Sequence, residues 1–226
     1  YTAGQWQKDV VRIVDDIHQR KKLPVIVGGT GLYIDTIYRN YSLPEAEPNP
    51  KLREELYEKE KNNPGYLHTA LSKLDPEEAT KHHPNSTRFL VRALEIYYTT
   101  GGKKSETFVQ KPVKRPLLMI GLRRDKEESN KRINKRIKEM LKEGLIQEVE
   151  GLLAREYSKD LQSMNGIGYK ETIEYLEGKY DLETLEEYMK KATHHLAKKQ
   201  RTRFRKYIAE SKQMPKENVT YRVYSL

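Results

Sequence analysis

Cysteine is absent from the 226-residue sequence. Disulfide bonds and thiolate metal sites are therefore excluded, which fits a reducing compartment. Long apolar runs are missing too, because none approaches the roughly 18 residues that a membrane-spanning helix requires. The start also lacks a charged-then-apolar signal segment. These absences predict a soluble, cytoplasmic protein.

The charge of the chain is shifted towards lysine and arginine. They number 43 against 33 aspartates and glutamates, which leaves a formal net charge of +10. Such an excess predicts attraction to a polyanion, and RNA, DNA, an anionic membrane surface and diphosphates all fit it. A hydrophobic content of 36% over this length is enough for one large domain or two small ones.

Two short apolar runs have the composition of buried strands. Leu23 to Val27 is rich in β-branched residues and stops at the glycine turn Gly28-Gly29-Thr30-Gly31, after which a helical rhythm resumes. Strand, glycine turn and helix form the unit of a parallel α/β sheet, in which ligands bind beyond the carboxyl ends of strands. Pro116 to Leu122 predicts a second strand of the same sheet.

The chain between these runs is predicted to be helical. Helix starts are marked at Asn49-Pro50, Asn63-Pro64, Asp75-Pro76 and Asn85-Ser86. Beyond the second strand, apolar spacings predict a helix pair, or one long helix bent at Gly144, over 133–153. They also predict helices over 169–176 and 182–208 and an edge strand over 218–224. We therefore predict an α/β core formed by residues 1–44 and 113–226, with an all-helical insertion domain at residues 45–112.

The glycine turn is a candidate phosphate-binding loop. The backbone N–H groups of Gly28, Gly29 and Gly31, together with the dipole of the following helix, could face a phosphate. A tight turn that needs glycine for positive φ is the alternative, and spacing alone favours it. Thr30 is the one side chain of the turn able to hydrogen-bond a reacting group.

Two arginines lie four residues apart in a predicted helix. Arg132 and Arg136 flank the apolar stripe that carries Ile133 and Ile137, so both guanidinium groups lie on one face. Such a pair suits a diphosphate because the planar guanidinium presents paired donors and keeps its charge. Ordinary decoration of a solvated helix is the alternative.

The strongest electrostatic signal lies near the C-terminus. Lys190 to Lys206 contains eight lysines or arginines and no acid. Apolar residues use only one face of this helix, so the remaining surface is positive nearly all round, as expected of a helix that follows phosphates. Nothing in the pattern distinguishes RNA from DNA.

A second group of polar residues lies in the predicted insertion. Asn85, Arg88 and Arg92 share one face of a helix. Asn85 fits a helix cap, and the arginines could bind acids or RNA equally well.

Five stretches, in this order, resemble the tRNA dimethylallyltransferase family. They are Pro24-Val25-Ile26-Val27-Gly28-Gly29-Thr30-Gly31-Leu32-Tyr33; Asp75-Pro76 with His83-Pro84-Asn85 and Arg92-Ala93-Leu94-Glu95; Gly121-Leu122 with Arg132-Ile133 and Arg136; Gly166-Ile167-Gly168-Tyr169-Lys170-Glu171; and Ala197-Lys198-Lys199-Gln200 with Thr202 and Phe204-Arg205. A single match could arise by chance, but five matches in register span the whole chain.

The resemblance implies an α/β fold whose parallel sheet core is similar to P-loop kinases, with a helical insertion that grips the anticodon arm of tRNA. It implies transfer of the dimethylallyl group of dimethylallyl diphosphate to the exocyclic amine of adenine 37, with Mg²⁺ as the cofactor. We further expect a monomer that does not contact a membrane.

Roles for individual residues also follow from the resemblance. Thr30 would hold the reacting amine or the catalytic carboxylate, and Arg136, supported by Arg132, would stabilise the departing diphosphate. Gly28, Gly29 and Gly31 would line the substrate site. The tRNA would be contacted by Lys51, Asn85, Arg88, Arg92, Asp160, Ser163, Asn165, Lys198, Lys199, Gln200, Arg201, Thr202, Arg203, Phe204 and Arg205.

The sequence also departs from the family pattern. Asn165 stands where the family usually has Gln or Arg, and Arg203 replaces a usual Trp. The family opens with a Gly-rich phosphate loop and an Asp-Ser motif whose Asp is the general base, and neither occurs here. We therefore expect a segment before Tyr1, and we expect the 226-residue chain alone to be inactive. A prenyltransferase acting on free adenine nucleotides and a non-catalytic RNA-binding module are the alternatives.

Overall fold

The computed structural model describes residues 2–44, 46–110, 115–213 and 219–225. The chain divides into two compact units, Tyr1–Pro116 and Leu117–Leu226. Residue 45 and the predicted boundary between residues 112 and 113 lie outside the described residues.

The first unit begins with two helices, α1 (Ala3–Gln19) and α2 (Gly31–Tyr38). Thr2 caps α1, because its hydroxyl accepts a hydrogen bond from the Gln5 N–H at 3.2 Å. The Gln5 side chain in turn accepts one from the Thr2 N–H at 2.7 Å. The two helices meet through the stacked rings of Trp6 and Tyr33, whose centroids are 4.8 Å apart.

The segment between α1 and α2 is not a strand. Leu23 to Val27 is predicted to form one, yet residues 22–30 belong to no helix or strand. The side chains of Leu23 and Val27 are 84% and 90% exposed. A β-branched composition favours an extended backbone, but a strand also requires a hydrogen-bonded neighbour, and no strand in the described ranges pairs with this segment. The strand prediction is therefore wrong, whereas the helix after the glycine turn is confirmed.

Helices α3 to α7 make up the middle of the first unit: Pro50–Asn62, Tyr66–Leu74, Pro76–Thr80, Thr87–Thr100 and Lys104–Thr107. The caps predicted at Asn49 and Asp75 are confirmed, since each side chain accepts a hydrogen bond from the first turn of its helix, at 3.1 Å and 3.2 Å. The start predicted at Asn63-Pro64 is displaced, because the chain first passes through Gly65 with a φ of 91°.

The segment formed by helices α3 to α7, the helical segment, has a core of its own. The buried apolar side chains that pack together in it are Leu56, Leu67, Leu71, Ala79, Leu90, Val91, Ala93 and Leu94. Strand β1 (Tyr41–Ser42) pairs antiparallel with β2 (Val109–Gln110), so the segment leaves and returns at adjacent points. A separate core and adjacent ends are typical of an inserted domain.

The second unit begins and ends with strands. Strand β3 (Leu117–Arg123) pairs in parallel with β4 (Val219–Ser225). Between them lie α8 (Lys126–Lys142), α9 (Leu145–Ala154), a short 3₁₀ helix (Gln162–Asn165), α10 (Tyr169–Leu176) and α11 (Leu182–Gln213). The predicted strands at both ends are confirmed, as is the break between α8 and α9, where Gly144 has a φ of 102°.

Helices α8 to α11 share one core, formed by Ile137, Leu145, Val149, Met164, Ile173, Leu185 and Met189. In the strand pair, Tyr221 of β4 is the register partner of Met119, and its side chain reaches over Gly121 of β3. A Cβ atom at Gly121 would lie only 2.7 Å from the Tyr221 Oη. This hydroxyl is buried without a hydrogen-bond partner in the described chain, and burial raises the pKa of Tyr221. A side chain larger than hydrogen at this position would therefore force the Tyr221 ring to shift.

Candidate nucleic-acid and diphosphate sites

Helix α11 carries a positive surface opposite its buried face. Leu185, Met189 and Tyr207 are buried. Among the side chains of this helix that the structure describes, the remaining surface exposes five cations: Lys191, Lys198, Lys199, Arg205 and Lys206. Among the described residues, no carboxylate lies within ion-pair distance of these five. A phosphate backbone could contact them without first breaking an ion pair, which favours binding to a polyanion.

The residues of α11 predicted to contact RNA fall into two groups. Exposed are Lys198, Lys199, Thr202 and Arg205, and half-buried are Gln200, Arg201, Arg203 and Phe204. Phe204 meets Tyr207 edge to face with ring centroids 5.5 Å apart. Arg203 Nε donates a hydrogen bond to the Tyr207 Oη at 3.4 Å. Tyr207 therefore orders two of the half-buried side chains, whereas the exposed group is open to a partner.

The predicted arginine pair lies on an exposed face of α8. Arg132 and Arg136 are one turn apart, and the adjoining Ile137 is buried, so the two arginines lie beside the packed face of the helix. Arg136 Nη1 is 3.6 Å from Glu143 Oε2, and both side chains are exposed. Such a surface ion pair contributes little, so a diphosphate could displace Glu143. The role of this pair in binding a diphosphate stays a prediction.

The glycine turn lies in the first unit, at the start of α2. Thr30 is the N-cap residue, but its side chain makes no capping hydrogen bond and is exposed. A Cβ atom at Gly28 would meet nothing within 4 Å, and the φ of Gly28 lies outside the left-handed region. Positive φ therefore does not explain this glycine, while the open space would let a ligand approach the backbone.

Lys51, Asn85 and Arg88 are exposed in the helical segment. The prediction that Asn85 caps a helix is wrong, because Ser86 is the N-cap residue of α6. The Asn85 N–H instead donates to His83 Nδ1 at 3.1 Å, which closes the turn before the helix begins. RNA contacts of the three exposed residues stay predictions.

Arg92 belongs to a buried ionic network. Its Nη1 donates to Glu95 Oε2 at 2.5 Å, and its Nη2 donates to the Ala46 carbonyl at 3.0 Å. Glu95 is fully buried and also accepts hydrogen bonds from Arg53 Nε at 2.8 Å and from the Asn49 N–H at 2.7 Å. This network joins the start of α3 to α6, so Arg92 has a structural contact whether or not it meets RNA.

The electrostatics of Glu95 follow from these contacts. Burial raises the pKa of Glu95, but hydrogen bonds from Arg53, Asn49 and Arg92 outweigh burial and lower the pKa below its usual range. Sequence reasoning missed Glu95, although its spacing of three residues from Arg92 on one helix was a usable signal.

The loop from α9 to α10 carries the remaining predicted RNA contacts. Asp160, Ser163 and Asn165 are exposed there, and the buried side chain of Met164 anchors the loop. A second anchor was also missed by sequence reasoning: Lys159 Nζ lies 2.6 Å from Glu177 Oε1, and Lys179 pairs with the other oxygen at 2.9 Å. Hydrogen bonds from Lys159 and Lys179 lower the pKa of Glu177 to about 2.

Two kinds of feature are missing from the described part of the chain. No group of three or more histidines, aspartates and glutamates is placed to hold a metal ion. This absence concerns sites built from three or more protein ligands, whereas Mg²⁺ is commonly held by one or two carboxylates together with substrate phosphates and water. No described helix combines the length and apolar character needed to cross a membrane.

The parallel strand pair and the helical segment define a mixed α/β protein in which α11 carries a strongly basic face. The sequence model of the IPP transferase family matches residues 1–207. This chain therefore belongs to the IPP transferase family.

Similar proteins agree with this assignment. The tRNA dimethylallyltransferase of Thermotoga maritima is 45% identical over 210 residues, which cover 92% of this chain and 68% of that protein. That of Pelotomaculum thermopropionicum is 42% identical over 210 residues, with coverage of 92% and 67%.

Solved structures agree as well. The tRNA isopentenylpyrophosphate transferase of Bacillus halodurans is 34% identical with a TM-score of 0.60, covering 100% of this chain and 68% of that one. A eukaryotic dimethylallyltransferase acting on tRNA is 33% identical with a TM-score of 0.69, covering 88% and 52%. The predicted family and α/β fold class, similar to P-loop kinases, are confirmed.

Proposed function

We propose that this protein transfers a dimethylallyl group from dimethylallyl diphosphate to the exocyclic amine of adenine 37 in tRNA. The observation that carries the proposal is the set of five exposed cations on α11 that have no carboxylate within ion-pair distance among the described residues, in a chain of the IPP transferase family. Such a face is not needed to prenylate a small molecule, whereas in a complex with tRNA its cations would neutralise backbone phosphates. The predicted cytoplasmic location and monomeric state belong to the same proposal.

The reaction breaks the bond between the allylic carbon and the diphosphate oxygen and forms a bond from that carbon to the adenine nitrogen. Diphosphate leaves with the electron pair, and the amine loses a proton. Arg136, supported by Arg132, faces the charge that grows on the leaving group, and guanidinium groups are suited to it because they stay charged. Thr30 orients the amine through its uncommitted hydroxyl. Mg²⁺ would neutralise the diphosphate, but no described residue is assigned to hold it.

Holding the RNA is a separate task from the transfer. An adenine must leave its stack to react, which costs a few kcal/mol and favours an unpaired loop base. Residues 45–112 form an insertion domain that helps to hold the anticodon arm. Their own core and the pairing of β1 with β2 support the assignment of an inserted domain. The loop around Asp160, Ser163 and Asn165 and the exposed cations of α11 provide further contacts.

Comparing acceptors tests the proposal against prenylation of free nucleotides. The natural protein that contains this sequence is incubated with dimethylallyl diphosphate and either an anticodon stem-loop RNA or AMP. Transfer to the stem-loop with little transfer to AMP is expected, and a preference for AMP contradicts the proposal. RNA binding without any transfer would identify a non-catalytic module instead.

The salt dependence of binding tests the surface itself. Removing the side-chain charges with Lys198→Ala and Lys199→Ala should lower the slope of log affinity against log salt by about 2, one for each lost phosphate contact. Lys126→Ala with Lys142→Ala is the matched control, because both lysines are exposed residues of α8 without an ion pair in the described chain and no RNA contact is assigned to them. Equal changes in the two variants would show general attraction rather than contact by α11.

A further inference from the structure

Phe89, on α6 of the helical segment, is an exposed aromatic ring held in a fixed position. Its side chain is 56% exposed. One face of the ring stacks on His82, with ring centroids 5.1 Å apart and an interplanar angle of 13°. The exposure leaves the other face to solvent. An apolar ring in this state is available for a ligand that has a flat face of its own.

The residue beneath the ring is itself fixed. His82 Nε2 lies 3.0 Å from Glu78 Oε1, and Glu78 is buried and also paired with Lys104. His82 thus connects the exposed ring to the buried interior of the helical segment. A ligand stacking on Phe89 would lose less entropy than on a freely rotating side chain.

The surroundings of the ring favour an anionic ligand. The sequence from Lys81 to Arg92 contains no aspartate or glutamate. Arg88, the neighbour of Phe89, is exposed and has no carboxylate within ion-pair distance in the described ranges. Asn85 is exposed in the turn before α6 and offers an amide. A cation and an amide beside an open aromatic face suit the phosphate and the base edge of a nucleotide.

We propose that Phe89, supported by His82, is a stacking platform for one unpaired base of the RNA, and that Arg88 contacts an adjacent phosphate. This inference rests on the proposed tRNA substrate and adds to it a base contact distinct from the reacting adenine. Aromatic stacking accepts any base, so the platform positions the RNA without reading its sequence.

The test compares two RNAs of equal length, one a stem-loop with unpaired bases and one fully paired. Phe89→Leu in the natural protein keeps an apolar contact with His82 but removes the aromatic face. We expect about a 5- to 30-fold loss of affinity for the stem-loop, the lower part of the range for a base–aromatic stack, and less than about a 2-fold change for the duplex. Phe89→Trp should retain stem-loop affinity.

Tyr98→Leu is the matched control, because Tyr98 lies on the same helix and is 50% exposed. It should leave both affinities unchanged, and circular dichroism checks the folding of each variant. An unchanged stem-loop affinity for Phe89→Leu overturns the platform, as does an equal loss for both RNAs or a Phe89→Trp variant as weak as Phe89→Leu. A parent protein that binds no stem-loop refutes the proposed function instead, so the two failures are distinguishable.

Discussion

Replacing Glu95 by alanine should strongly destabilise the helical segment. The fully buried carboxylate accepts hydrogen bonds from Arg53, Arg92 and the Asn49 N–H, and through them it joins α3 to α6. Removing one side of a buried ion pair usually costs about 3 to 5 kcal/mol, because the partner charge stays behind uncompensated. The side chains of Arg53 and Arg92 are 39% and 35% exposed, so water recovers part of their solvation. We therefore expect a loss of about 3 kcal/mol, at the lower end of that range.

Urea unfolding followed by circular dichroism measures this free energy, and hydrogen exchange of the α3 and α6 amides locates the loss. Glu77→Ala is the matched control, since Glu77 is 71% exposed and its pair with Lys81 at 2.9 Å should contribute at most about 1 kcal/mol. A Glu95→Ala variant within about 1 kcal/mol of the parent would refute the reasoning. Equal losses in the two variants would refute it as well.

The same network predicts that the stability of the protein depends on pH. The pKa of Glu95 is lower in the folded protein than in the unfolded chain, where it is about 4.3. The contribution of Glu95 to stability is therefore fully present above pH values near the unfolded pKa and is lost as pH falls through the folded pKa. The arginines keep their charge over this range. The stability difference between the parent and Glu95→Gln should therefore be constant from about pH 6 to pH 8 and should shrink below about pH 4. A difference that grows with acidity contradicts the assignment.

Two further variants test the second unit. Gly121→Ala should cost about 1 to 3 kcal/mol, because the added Cβ overpacks against the Tyr221 hydroxyl. Adding Tyr221→Phe should recover most of this loss, because the nearest remaining ring atom lies 3.4 Å from that Cβ. Unfolding of the single and double variants measures both free energies, and failure of the rescue refutes the contact. Arg136→Ala in the natural protein should lower the transfer rate by about 10²-fold or more while RNA affinity changes little. The rate of Arg136→Lys should lie between those of the parent and Arg136→Ala. Single-turnover kinetics and a binding assay test this, and a matching loss of affinity would make Arg136 an RNA contact instead.

Features fixed by neighbouring residues in the sequence could be predicted. Asn49 and Asp75 mark helix starts because a short polar side chain caps the turn that follows it. The break at Gly144 and the basic face of α11 also follow from local pattern, since φ and helix periodicity are properties of short segments.

Features that depend on a distant partner could not be predicted in the same way. Leu23 to Val27 has the composition of a strand, but a strand exists only beside another strand. Arg92 looks like a free cation in the sequence, and only the fold shows that Glu95 and the Ala46 carbonyl already bind it. Phe89 reads as an ordinary helix residue until its exposure and its stacking on His82 are known.

The most direct test of dimethylallyl transfer to tRNA is to locate the product on the RNA. Purified tRNA lacking the modification is incubated with the natural protein and dimethylallyl diphosphate, digested, and examined by mass spectrometry of its fragments. One adenine beside the anticodon should gain the mass of a single dimethylallyl group on its exocyclic nitrogen. Unmodified tRNA, or a group attached at another position, would contradict the proposed function.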